Sequence, residues 1–466
     1  MKEGTRVAAG LDMTVGTGWK HVARFSLPLM LGNLLQQLYN TVDGIVVGQF
    51  VSDAALAAVG NCASLTFVFL AISFGLANGT GIAIAQLYGA KRQDELRRCG
   101  STALILLVCV GAVMSVVGAL LSPWLLHGLM KVPEGEVLQL GESYFTIYAA
   151  GLVFQFAYNA IAAILRAVGD SKATLYFLCI TAVLNAILDL TFVIVFHWGV
   201  AGTAIATVLA QAICTVFSVI YMYRHYPVFR YKPREMVFDR EKGAVCLKLG
   251  IPTMLQQSVV AFGGVFMQRL VNYFGQDLMA AFTVGNRVEN YIFVPILALN
   301  NGMSTFTGQN LGARKPERVR ECWKRIELLS LAITVCVAAL AYIFASPIAR
   351  LFGIEGESLR LAVSMIRFMS FFFCMFSVYL PTMGLLQGAG DALYSMFCSF
   401  STLGARVASA YIMVFAFGVG CQAVWYAVPI GWTLCVVLAA VRYYSGVWEK
   451  KSIVKYPPQE VNVNVE

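Results

Sequence analysis

The sequence predicts an all-α integral membrane protein of 12 transmembrane helices in two six-helix lobes, related by a pseudo-two-fold axis along the membrane normal. Three observations carry that prediction. The 466 residues are 59% hydrophobic and only 13% charged, with a mean hydropathy of +0.71, which excludes a soluble globule. Apolar runs of about 20 residues, each long enough for a hydrocarbon core about 30 Å thick, recur from end to end. The motifs of the first half return in the same order in the second.

A polar stretch, 1–19, lacks the hydrophobic region of a cleavable signal, so the N-terminus is expected to stay attached. Span 1 covers roughly 22–46 and span 2 roughly 54–82, with a short exposed turn at Ser52-Asp53 between them. A basic segment follows from Gly89. Span 3, about 99–122, is read as ended by Ser122-Pro123, before an outer loop with His127, Lys131, Glu134 and Glu136. Span 4, about 140–166, reaches the Gly-Asp turn of LRAVGDSK. Spans 5 (173–197) and 6 (200–222) complete an N-lobe over 20–222. The basic, Pro-containing connection 223–244 reads as a linker between the halves. Spans 7–12, at about 246–274, 278–307, 323–346, 362–386, 393–417 and 421–443, build a C-lobe over 245–444. The tail 445–466 reads as disordered or surface-lying from Trp448 onward.

The net charge of +9 is placed unevenly. Basic residues crowd 91–98, 224–242, 314–325 and 450–455, while the intervening connections carry few, such as Lys131, Arg350 and Arg360. This asymmetry puts both termini in the cytoplasm of a cell (inner or plasma) membrane protein. It leaves the bilayer as the partner and excludes nucleic acid. The 12 cysteines are scattered singly without metal-ligand spacing, so they read as small buried side chains.

The repeat is visible residue by residue. PLML at Pro28 is answered by PTML at Pro252, and VGN at 59–61 by VGN at 284–286. QLYGAK at Gln86 returns as QNLGAR at Gln309, LRAVGD ending at Asp170 as LQGAGD ending at Asp391, and GVAGTA at Gly199 as GVGCQA at Gly418. Six spans per half give both halves the same orientation, with a substrate path between them.

On span 1, Gln36, Tyr39, Asn40 and Asp43 recur at three- and four-residue intervals and share one stripe. An Asp in a spanning helix costs roughly 2.5–3.5 kcal/mol even on the lenient insertion scale, so it faces protein or water. The alternative is a polar stripe that only holds helices together. Pro28 lies in the same span, where it either permits a bend or merely starts the helix.

PLML…YNTVDGIVVGQF…LAAVGN, in a chain of two such halves, resembles the multidrug and toxic compound extrusion (MATE) family over about 20–445, and most closely its DinF-like branch. The resemblance implies a transporter that exports amphipathic, often cationic compounds in exchange for H⁺ or Na⁺. It places the N-lobe cation site on Tyr39 and Asp43 of span 1, Asn159 of span 4, Asn185 and Asp189 of span 5, and Thr207 of span 6. Two carboxylates sharing a dry pocket do not both ionise cheaply, so the site would take a proton or a sodium ion. The sequence leaves that choice open. No cofactor is expected, and no metal beyond such a Na⁺ at Asp43 and Asp189.

The second half departs from the branches that carry acids on spans 7 and 10. Glu289 on span 8 is read as the only intramembrane acid of the C-lobe, with Arg287 nearby and Arg406 on span 11, in either a structural pair or a functional role. Gln36, Phe67, Gln256, Met267 and Asn300 are candidates, with Glu289, for the interlobe substrate cavity, where helix packing is the competing explanation. A lipid-linked precursor flippase of the related superfamily is the alternative function, kept open by Arg269, Arg287 and Arg406. No nucleophile–base pair or metal motif suggests an enzyme, and a monomer is expected.

Overall fold

Long apolar helices make up almost all of the computed structural model, which describes residues 10–454 except 131 and 133; the side chains of 38–50, 53, 56, 233, 261 and 262 also lie outside the description. The first half holds α1 (Gly18–Phe50), α2 (Asp53–Gly89), α3 (Gln93–Pro123), α4 (Glu136–Ala150), α5 (Leu152–Ala167), α6 (Ser171–Leu190) and α7 (Gly199–His225). The second holds α8 (Arg240–Tyr273), α9 (Gln276–Gly312), α10 (Pro316–Ile343), α11 (Ala345–Leu351), α12 (Gly356–Ala389), α13 (Ala392–Phe415) and α14 (Ala423–Tyr444). Among the described residues, nine helices are long and apolar enough to cross a membrane alone, and α4 with α5, bent by 45°, make a tenth. With α1 and the more polar α9, the chain forms the 12 expected spans.

Side-chain caps start several helices where the sequence turns polar. Ser52 Oγ accepts from Ala55 N at 3.1 Å to open α2, and Asp239 accepts from Glu241 and Lys242 amides to open α8. The repeat extends to helix ends. Lys91 and Arg314, at φ 57° and 59°, close α2 and α9, while Gly169 and Gly390, at 91° and 95°, close α5 and α12. Packing repeats as well: α1 lies on α6 as α8 lies on α13, and α3 lies on α5 as α10 lies on α12.

The lobes meet through α1 against α9 and α2 against α8. At the second contact a Cβ on Gly79 would come within 2.3 Å of the Gly250 Cα, so only glycine lets these backbones approach so closely. At the first, Ser26 Oγ donates to the Ala298 carbonyl at 2.9 Å.

Two expectations need correction. Pro123 does not end span 3, because its ring removes a donor but leaves its carbonyl able to accept; the chain continues as a π-helical turn, Trp124–Leu129. Span 5 likewise finishes in a π-helical turn, Thr191–Val195. The tail is not loose from Trp448: that indole is fully buried and stacks on Tyr443, and Val454 packs into the N-lobe core. The connection between halves is also fastened. Tyr231 Oη donates to the Arg97 carbonyl at 2.9 Å, and Arg97 pairs with Glu235 at 2.7 Å.

Candidate functional site

Near the C-terminal end of α6, Asn185 and Asp189 lie four residues apart on one helix face, each about 1% exposed. With the Asn185 amide nitrogen turned to the carboxylate, it donates to Asp189 Oδ2 at 2.7 Å, and its oxygen lies 3.3 Å from Thr207 Oγ1 on α7. The same hydroxyl lies 3.0 Å from the Thr203 carbonyl one turn earlier. A carboxylate among neutral amide and hydroxyl oxygens is a donor set for a proton or a small hard cation. Among the described residues, no group of three or more His, Cys, Asp and Glu side chains gathers as a metal centre.

The other N-lobe candidates are placed differently. Asn159 Nδ2 donates to the buried Ser73 Oγ on α2 at 2.8 Å, which ties α5 to α2. Ser73 escaped notice because one serine in a Gly- and Ala-rich span carries no periodic signal. The side chains of Tyr39 and Asp43 lie outside the described residues; their helix, α1, packs on α6.

In the C-lobe, Glu289 on α9, Tyr379 on α12 and Arg406 on α13 stand on helices that pack together through α12. Arg406 Nε is buried without a hydrogen-bond partner. Arg287 is not part of this group, since its guanidinium lies over the Phe352 ring at 5.9 Å. Glu289 is also not the only intramembrane acid of this lobe. On α10, Glu327 Oε1 accepts from Thr382 Oγ1 at 2.8 Å, and Trp323 Nε1 donates to the same hydroxyl at 2.9 Å. The signal was present in the sequence, as Glu327 stands four residues inside the span expected to start at 323, but the basic residues before it made it look cytoplasmic.

The proposed cavity residues divide. Gln36 is exposed and Phe67 is 49% exposed, as open surface requires. Gln256 instead knits the C-lobe together: its Nε2 donates to Ser399 Oγ at 2.8 Å and its Oε1 accepts from Gln387 at 3.0 Å. Met267 is 2% exposed and fills the C-lobe core, so it lines no cavity here; its flexible thioether suits an irregular gap. Asn300 Oδ1 is buried against Gly384 of α12, where a Cβ would stand 2.8 Å away, which places it between α9 and α12 rather than between lobes. Pro28 is buried ten residues after the start of α1. That excludes the helix-start reading and leaves the Arg24 carbonyl without its usual donor.

Comparison with known proteins follows the same two halves. The MatE family profile matches residues 28–191 and 252–412. The "Probable multidrug resistance protein YpnP" of Bacillus subtilis (strain 168) is 30% identical over 385 residues, covering 82% of this chain and 85% of that one. The "Probable multidrug resistance protein YoeA" of the same organism is 28% identical over 445 residues, covering 94% and 96%. A solved structure titled "Outward-facing conformation of a multidrug resistance MATE family transporter of the MOP superfamily" aligns with a TM-score of 0.89 at 25% identity, over 96% of this chain and 100% of that one.

Proposed function

Because the chain belongs to the MATE family of integral membrane transporters, we propose that it exports amphipathic, often cationic compounds by alternating access, driven by inward movement of H⁺ or Na⁺. The relatives' multidrug-resistance names support the substrate class. The observation that carries the coupling is the buried Asp189–Asn185–Thr207 group. When the carboxylate is ionised it attracts a cation from the outer side; when a proton or Na⁺ neutralises it, the helices around it can approach without burying a bare charge. Asp43, on the neighbouring α1, would share that ion. Release of the ion to the cytoplasm restores the charge and completes the exchange.

Both termini are cytoplasmic on this reading, and the membrane is that of the cell. A flippase of lipid-linked precursors would need cationic side chains along the interlobe path, and Arg287 is instead engaged with Phe352. Purified protein in proteoliposomes, given an imposed H⁺ or Na⁺ gradient in turn, should extrude a fluorescent lipophilic cation under one gradient. Absence of efflux under both would overturn the proposal.

A further inference from the structure

The repeat motifs QLYGAK and QNLGAR end α2 and α9, and there they make contacts that the cation site does not use. Gln86 and Gln309 are both fully buried. Gln86, on the N-lobe, donates through Nε2 to the Gly388 carbonyl at 2.9 Å, at the end of α12 in the C-lobe. Gln309, on the C-lobe, donates through Nε2 to the Ala167 carbonyl at 2.9 Å, at the end of α5 in the N-lobe. The two bonds are related by the same symmetry as the motifs, and each crosses from one lobe to the other.

The acceptor ends of the two amides follow the same rule. Gln309 Oε1 accepts from Met13 N at 2.9 Å, and Gln86 Oε1 accepts from Ile453 N at 2.8 Å and Ser452 Oγ at 3.0 Å. Each glutamine thus holds a terminal segment, and each segment bridges the two lobes. Residues 10–17 lead into the first N-lobe helix, yet they are bound by C-lobe side chains: Lys315 Nζ donates to the Thr14 carbonyl at 2.9 Å, and Arg318 Nη2 to the Gly16 carbonyl at 3.0 Å. Residues 451–454 follow the last C-lobe helix, yet Val454 packs in the N-lobe core.

The helix ends leave no slack for a partial opening. A Cβ on Gly89 would stand 1.9 Å from the Gln309 carbonyl oxygen, and one on Gly312 would stand 2.0 Å from that of Gln86. A buried amide stripped of its partners loses far more than an exposed one, so these contacts favour an all-or-none closure.

We propose that Gln86 and Gln309, together with the terminal segments they hold, form a repeat-symmetric cytoplasmic latch: positioning residues that keep the lobes shut on this side and release for the inward-open state. The proposal rests on the alternating-access reading. It makes both chain termini parts of the gate rather than appendages.

The test uses Thr307→Cys as a reporter, a fully buried position two residues before Gln309, in inside-out vesicles exposed to a membrane-impermeant maleimide. The parent chain supplies the baseline from its native cysteines. Gln86→Met or Gln309→Met should each raise the reporter's labelling rate about tenfold, as loss of two or three net hydrogen bonds implies. Gln86→Glu keeps the acceptor for Ile453 and Ser452 but sets a carboxylate against the Gly388 carbonyl in a fully buried place, so it should raise labelling at least as much as Gln86→Met. Unchanged labelling in variants that melt like the parent would overturn the latch, and so would labelling that merely tracks a lowered melting temperature. Faster labelling in a protein that exports nothing under either ion gradient would uphold the latch and count against the export reading instead.

Discussion

In the N-lobe, Asp189 is held by Asn185 and, through it, by Thr207, whereas the matching places on α13, counted from Asp170 and Asp391, are Arg406 and Ala410. The two lobes share spans, motifs and helix ends, so the fold does not impose this difference. An acid held by a neutral amide can trade a proton for a cation with little rearrangement. An arginine and an alanine at the matching places offer no carboxylate to take up a proton or a cation. Duplication has supplied the scaffold twice, but among the described residues the Asn185–Asp189 pair of α6 has no counterpart on α13.

The comparison breaks most directly at the N-lobe acid. Asp189→Asn should reduce gradient-driven efflux to the level of empty proteoliposomes while the protein still inserts and purifies. Efflux at the parental rate would remove the distinction between lobes. Next in size is the C-lobe pair. If Glu289 serves as the counter-charge of Arg406, Glu289→Gln alone should lower the melting temperature. Combining it with Arg406→Gln should recover most of the loss in a thermal melt, and independent effects would show that the two charges are not coupled.

A smaller effect separates the prolines that mark the repeat, Pro28 on α1 and Pro252 on α8. If the coupled helix is the one that bends, Pro28→Ala should slow efflux severalfold with little change in substrate affinity. Pro252→Ala should slow it less, and equal slowing would move the hinge out of the N-lobe.

The smallest effect concerns Asp12 in the N-terminal segment. Burial raises its pKa, but hydrogen bonds from the Thr14 side chain and backbone, with Lys91 of one lobe and Lys315 of the other, outweigh burial and hold it below 3.8. A depressed carboxyl contributes stability above its unfolded value and loses it only as pH falls through the folded one. Reporter labelling at Thr307→Cys should therefore be flat from about pH 6 to 8 as far as Asp12 is concerned. Asp12→Asn should raise it only about twofold, consistent with a partly exposed ion pair.

The span pattern, the repeat and the Asn185–Asp189 spacing were legible because each is periodic or duplicated. Features made by single residues meeting across long separations were not. Gly151 gave no sign of the 45° bend in span 4, where a Cβ would strike Val208 at 2.4 Å. Trp448 looked like part of a polar tail because its partner, Tyr443, lies on the helix before it. Met267 and Asn300 fell at plausible positions along their helices, but their orientation is set by α8 and α9 packing within the C-lobe, which one-dimensional spacing does not record.

If the lobes rock as proposed, with the termini inside, the close backbone contact between Gly79 and Gly250 makes a fulcrum set off-centre. Gly79 lies ten residues from Gly89, the inner end of α2, and twenty-six from Asp53, its outer end. At 1.5 Å per residue the two arms of this lever are about 15 and 39 Å long. A rotation that parts the inner ends by about 4 Å would therefore sweep the outer ends together by about 10 Å. With backbones this close at the pivot, one tilt would open a narrow inner passage while sealing a much wider outer one. The inner aperture, and not the outer, then sets the girth of what can enter.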